Sequence, residues 1–466
     1  MIAEGDSFSK AKENEIKKNI IEATITKCTK VIKNDPDNFR AYATRGLFYS
    51  YKGDVLQAMT DCNKAIEINP KSAELYYIRG MIFKQIGNID RAIADFSKTI
   101  EINSSYTYAY YERGLSYKDK RMFAKAIADF TKVLELNPND SDAYNSRGYN
   151  YLQNGELDKA LPDLNKAIEL NPGNALPYNN RGILHQRKGE TDQALADYSK
   201  SIEIDPNYAK PYNNRGNIYK DRNELDKAIN DYTKAIELDP KLYQSYAERG
   251  MAYSKKHNFA LAISDCNKAV EIGPKNRNYV YYSRANVLSE NNKYDLAIKD
   301  YNEALKINPN DAEALTDRGL TYYLKGDFSQ AISDCNKALK INPKLERAYN
   351  NLGNIHKTQK NYDEAILIYS KAIDINPKFS IGFYGRGQAY YYKDEYEKAL
   401  HDYNEALKIN PHYIKALIAK GHVYMCKNNF DKAVYYYDKA LEIDPNNLEA
   451  LYQKASIYKN QYKHDE

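Results

Sequence analysis

Proline recurs through this chain at a fixed step. Pro36, Pro70, Pro138, Pro172, Pro206, Pro240 and Pro274, then Pro309, Pro343, Pro377, Pro411 and Pro445, follow a 34-residue phase. Ser104 stands in for one proline, and a single extra residue falls in KNRNY before Pro309. A period of this length describes a stack of small units, none of which can bury its apolar face alone. With each proline taken as position 32, repeats 1 to 7 begin at Phe39, Ala73, Thr107, Ser141, Ala175, Ala209 and Tyr243. Repeats 8 to 12 begin at Asn278, Ala312, Glu346, Ser380 and Ile414.

Each repeat holds two apolar periodic stretches of about 14 residues, too long for typical strands. Repeat 6 reads AKPYNNRGNIYKDR, then LDKAINDYTKAIEL. Tyr212, Gly216 and Tyr219 share one face of the first stretch, and Ala228, Tyr232 and Ala235 share one face of the second. Spacings of three and four are helical. Asp-Pro or Asn-Pro closes the unit, because a residue before proline is driven out of the helical region. The spacing predicts helix A, a short turn, helix B and a proline turn. Position 8 is glycine from Gly46 to Gly421, with Ala285 the one departure, and position 20 is alanine from Ala58 to Ala433. A mid-helix glycine costs roughly 0.8–1 kcal/mol against alanine, so close approach of the partner helix is expected to offset it. Mostly aromatic residues at positions 11 and 24 fill the remaining space.

Small residues at positions 8, 20 and 27, aromatics at 4, 11 and 24, and proline at 32 resemble the tetratricopeptide repeat. The resemblance covers residues 39–445. It implies an all-α fold: a right-handed superhelical solenoid of antiparallel helix pairs, with the A helices lining a concave groove where family members bind peptides or partner proteins. The expected organisation is a degenerate N-terminal capping repeat over 1–38, twelve tandem repeats in one solenoid over 39–445, and a C-terminal capping helix with a polar tail over 446–466. Residues 5–36 keep the phase without the glycine and alanine, and Ala455 falls at position 8 of one more helix A.

Position 7 is apolar in most family members, commonly leucine. Here it is Arg45, Arg79, Arg113, Arg147, Arg181, Arg215, Arg249, Arg284, Arg318 and Arg386, with Leu352 and Lys420 the departures. Position 23 is Asp61, Asp95, Asp129, Asp163, Asp197, Asp231, Asp265, Asp300, Asp334 and Asp402, with Ile368 and Tyr436 departing in the same two repeats. Paired departures suggest contact. An Arg–Asp brace between helices is the expected role, within or between repeats, rather than a row of arginines awaiting an acidic ligand.

No catalytic motif is present: neither a metalloprotease HExxH, a P-loop nor a nucleophile elbow. Cys28, Cys62, Cys266 and Cys335 all fall at position 24, a core slot, and Cys426 reads as a free thiol. His185 and His356 occupy the aromatic slot at position 11, whereas His422 falls on the groove face. GFYGRG, with Gly382, Gly385 and Gly387, lies inside a helix A, where flexibility is a better reading than a phosphate loop. Pro162 inside a helix B is expected to kink it. No cofactor or metal is expected, and the chain reads as a non-enzyme.

If the resemblance holds, positions 2, 5, 9 and 12 of each helix A face the groove, with 6 and 13 at its edge. Asn179, Asn180, Asn213, Asn214 and Asn217, flanked by Arg187, Lys210 and Lys220, form one candidate peptide-binding patch. Asn350, Asn351 and Asn354, with Arg347 and Lys357, form a second. Asparagine offers both donor and acceptor to an extended backbone. Tyr77, Tyr111, Tyr149, Tyr282 and Tyr384 add rigid contact area. The carboxylate clamp of chaperone-binding members is not matched: no position 5 is lysine, and Gly385 and Ala419 stand at position 6. The long arrays of O-linked N-acetylglucosamine transferases are similar, but the asparagine ladder at position 6 is only Asn180, Asn214 and Asn351.

Lys and Arg total 68 against 63 Asp and Glu, a net charge of +5, which gives no reason to expect nucleic acid as the main partner. Neither a signal peptide nor a membrane-length apolar run is visible, so the cytoplasm is the expected location. The leading expectation is a protein-interaction scaffold. The alternatives are a regulatory or substrate-recruiting partner of a separately encoded enzyme such as a glycosyltransferase, and a helical-repeat RNA binder, which would need a basic groove where Glu74, Asp142 and Glu313 stand.

Overall fold

The computed structural model describes residues 2–462, with side chains described at Glu15 and from Lys18 to Lys459; the end of the polar tail, 463–466, lies outside the described residues. The described residues form 26 helices and no strand. After a first helix, Ile2–Asn34, come twelve A/B pairs, from Phe39–Lys52 and Val55–Ile68 to Ile414–Cys426 and Phe430–Ile443, and then Leu448–Tyr462. The chain divides into two compact units, Met1–Ile218 and Tyr219–Glu466. Within each, an A helix packs on its own B helix and that B helix on the next A. The architecture is an all-α solenoid of antiparallel helix pairs.

The residues predicted to meet do meet. All twelve position-20 alanines are completely buried. A Cβ at Gly182 would lie 2.6 Å from the Tyr198 ring, at Gly80 2.7 Å from Phe96, and at Gly46 2.9 Å from Cys62 Sγ. Glycine at these positions therefore gives its space to the residue at position 24, although repeat 8 accommodates Ala285 beside Tyr301. Cys28, Cys62, Cys266 and Cys335 are buried in that slot, and Cys426 is exposed.

Two details depart from expectation. Residues 2–34 form one uninterrupted helix rather than a helix pair, there being no glycine or proline where a turn would fall. Gly382, Gly385 and Gly387, expected to loosen their helix, are all buried. Rings of Phe379, Tyr369 and Tyr403 occupy the space of their missing side chains.

Position 15, which the periodicity does not single out, sets the turn between A and B. It is left-handed in all twelve repeats. Glycine fills it at Gly53, Gly87, Gly155, Gly189 and Gly326; Arg121, Asn223, His257, Asn292, Lys360, Asp394 and Asn428 fill it elsewhere, at φ between 53° and 64°. In repeat 1 the Gly53 N–H donates to Ser50 O at 3.0 Å and the Asp54 N–H to Tyr49 O at 2.9 Å. This pattern caps the last carbonyls of helix A and turns the chain back.

Candidate functional site

The arginine column is spent inside the fold. In repeats 1 to 5, 7 to 9 and 11 the guanidinium donates from Nε and Nη2 to both oxygens of the position-23 aspartate of its own repeat, at 2.6–2.9 Å. The remaining arm, Nη1, reaches the preceding repeat. Arg79 donates to Asn63 at 2.7 Å, Arg113 to Ser97 at 3.0 Å, Arg215 to Ser199 at 3.2 Å and Arg249 to Thr233 at 2.9 Å. Position 25 supplies these acceptors. The guanidinium also lies over the position-4 ring, 5.6 Å from the centroid for Arg79 and Tyr76. One arginine thus braces both within a repeat and between repeats, which its planar fork allows.

The two departures follow the same geometry with other chemistry. Leu352 and Ile368 are buried in one apolar cluster. Lys420 sits 4.0 Å from the Tyr436 ring and donates to Asn404 of the preceding repeat at 2.6 Å. In the final helix Lys454 likewise reaches Asp438.

The face carrying positions 2, 5, 9 and 12 does border open space. In repeats 9 to 12 and the last helix it lines a cavity of about 410 Å³. Ile381, Lys415 and Glu449 come from position 2; Asn350, Tyr384 and Ile418 from position 5; Asn354, Gln388 and His422 from position 9; Tyr323 and Lys357 from position 12. Gly385 and Ala419, small residues at position 6, make room for it. Tyr77 borders a second cavity, with Leu47 and Met81, and Tyr111 a third, with Asp142.

Electrostatics mark the 410 Å³ cavity. Burial, reinforced by the neighbouring Lys415, pushes the Lys357 ammonium down to about 8. Burial also lowers His422, against the opposing pull of Glu449. Asn350 Oδ1 and His422 Nε2 are buried with no hydrogen-bond partner. An unsatisfied buried polar atom is costly, and a water or ligand group that reaches it relieves that cost.

The asparagine candidates divide. Asn179, Asn180, Asn213 and Asn351 are buried. Asn180 donates to Asn145 at 2.8 Å, Asn214 to Asn179 at 3.0 Å and Asn351 to the Thr316 carbonyl at 3.2 Å. Those amides fasten one A helix to the next, because position 6 lies against the preceding A helix. Asn217 is half-buried. Asn350 and Asn354 border the cavity, the latter accepting from Tyr369 at 2.7 Å. Among the tyrosines, Tyr282 is engaged by Asp317 at 2.6 Å, Tyr149 is half-buried, and Tyr384 accepts from Gln388 at 2.6 Å at the cavity wall. Lys415, Gln388 and Glu449 were missed by sequence reasoning; the bare position 6 at Gly385 was the available signal.

A family model described as Tetratricopeptide repeat matches 107–140, 209–242, 312–345, 346–379, 380–413 and 414–447. A second with that description matches 39–72 and 243–276, in the same phase. A third matches 62–94, 130–161 and 436–466, and a model described as TPR repeat matches 148–189, 187–221 and 285–326. Among solved structures the chain is similar to the APC/C hetero-tetramer Cut9-Hcn1, at 15% identity over 96% of this chain and 94% of that one, with a TM-score of 0.58. It is also similar to yeast Tom70, at 17% identity over 91% and 96%, TM-score 0.49. A tetratricopeptide repeat protein from Parabacteroides merdae ATCC 43184 is similar at 21% identity over 54% and 98%, TM-score 0.45. These are likenesses of fold. No curated protein matches.

Proposed function

Because this chain belongs to the tetratricopeptide repeat family, we propose that it is a non-enzymatic scaffold that binds extended segments of partner proteins along the inner face of its A helices. The observation that carries this reading is the cavity over repeats 9 to 12, to which successive repeats contribute residues from the same four positions. Asn350 Oδ1 and His422 Nε2 supply unfilled polar capacity there, and Tyr384 and Tyr413 supply apolar area. A segment crossing several repeats gathers many weak contacts, so affinity grows by summation along the array. Free thiols, Cys426 among them, suit a reducing cytoplasm.

The test uses the full chain as bait in affinity purification with quantitative mass spectrometry. Asn350→Ala combined with His422→Ala is expected to lose specific partners severalfold while its circular dichroism and melting stay close to wild type. Equal recovery of every partner refutes the assignment of this face.

A further inference from the structure

Lysine at position 12 of a helix A has an acid partner elsewhere in this chain. In repeat 2 Lys84 donates to Glu112 at 2.6 Å, and in repeat 6 Lys220 donates to Glu248. Both glutamates hold position 6 of the next repeat, 28 residues on, and both pairs are largely shielded from solvent. Lys118 of repeat 3 is followed by Ser146 at that place and instead has Asp119 at 3.5 Å.

Lys357 is the position-12 lysine of repeat 10, and 28 residues on stands Gly385. The carboxylate is missing, and the 410 Å³ cavity opens beside the glycine. The chain cannot readily supply the acid itself, because the Tyr369 ring lies 2.5 Å from where a Cβ on Gly385 would sit. Lys357 donates instead to the neutral Gln388 amide oxygen. Among the described residues no ion pair engages Lys357 or Lys415, although both line the cavity. Glu449, the acid at the rim, lies 3.8 Å from His422. The shielded Lys357, held beside the exposed Lys415, carries a cost in free energy that an incoming anion would return.

We propose that this cavity receives one carboxylate of an acidic residue in a bound partner segment, seated beside Lys357 and Lys415 where Glu112 and Glu248 sit beside their lysines. The inference rests on the groove reading above and adds the chemistry of what is read there. Asn350 and His422 lie on the same wall to hold the segment's backbone.

The test follows Lys357 by NMR in the full chain carrying ¹³C-methylated lysines. The probes are a glutamate-rich peptide blocked at both ends, its glutamine counterpart, an alanine peptide with a free C-terminus, and inorganic phosphate, all at equal ionic strength. The glutamate peptide is expected to shift the Lys357 signal and raise its titration midpoint, and the glutamine peptide to do neither. Lys357→Gln is expected to weaken the glutamate peptide about tenfold, while Lys378→Gln, an exposed control, leaves it unchanged. Response to the alanine peptide alone would assign the carboxylate to a chain end rather than a side chain. Equal response to the glutamate and glutamine peptides, response to phosphate alone, or no response to any probe at millimolar concentration overturns the carboxylate site. Partner recovery with the Asn350/His422 variant decides the groove reading separately.

Discussion

Repeat 10 contains the control for a charge-to-apolar exchange in its neighbour, repeat 11. There Arg386 donates to Asp402 twice, at 2.8 Å each, and to Ser370 of repeat 10 at 3.0 Å. Asp402 is 1% exposed. Arg386→Leu leaves that carboxylate buried without its donors, a loss of about 3–5 kcal/mol. Asp402→Ile costs less, about 1–3 kcal/mol, because the guanidinium keeps Ser370, the Phe383 ring and some solvent. The double variant copies the buried Leu352/Ile368 pair and is expected within about 1 kcal/mol of wild type. The coupling is then about 3 kcal/mol or more. A repeat array need not unfold in two states, so the assay is hydrogen exchange of amides in the helix Tyr396–Ile409. Each single variant should accelerate exchange there, by about two to three orders of magnitude for Arg386→Leu, and the double should restore most of the protection. Additive effects of the two substitutions would refute the brace.

Other perturbations test neighbouring steps. Gly182→Ala pushes a methyl against the buried Tyr198 ring and should cost about 1–3 kcal/mol; Ala285→Gly, which conforms to the other repeats, should still destabilise by about 1 kcal/mol, both read from melting curves. Lys360→Gly and Arg121→Gly, at φ 64° and 58°, should each stabilise by about 1 kcal/mol in the same assay. Lys357, lowered from 10.5 to about 8, should be acetylated at pH 8 ahead of exposed lysines in competitive labelling. Its charged form is disfavoured in the folded state below about pH 8, and that cost fades as pH rises from there toward 10.5. Lys357→Met should therefore raise the urea midpoint most near pH 7 and lose that advantage at high pH.

Local periodicity made most of the fold legible. The 34-residue phase located every A/B pair, and glycine at 8 with alanine at 20 pointed to the close approach of the two helices; that the residue at 24 is what fills the glycine's space came from the structure. Part of the candidate site was legible too: residues at positions 2, 5, 9 and 12 line the cavity, and Lys357 and His422 were already singled out. The asparagines were harder to place. Asn180 and Asn350 look alike in the string, yet the first is used up on Asn145 while Asn350 Oδ1 has no partner.

By itself the sequence determined the repeat, its helices and the close approach within each pair, because those rest on helix period and on partners about 16 residues apart in one hairpin. Only the tertiary structure decided what joins one repeat to the next. The third arm of each arginine, the Asn180–Asn145 bridge and the lysine–glutamate pairs all depend on how neighbouring helix pairs are staggered. Helix period does not set that stagger; side-chain packing between layers does. Gly385 is therefore one more glycine in the string and a missing carboxylate in the fold.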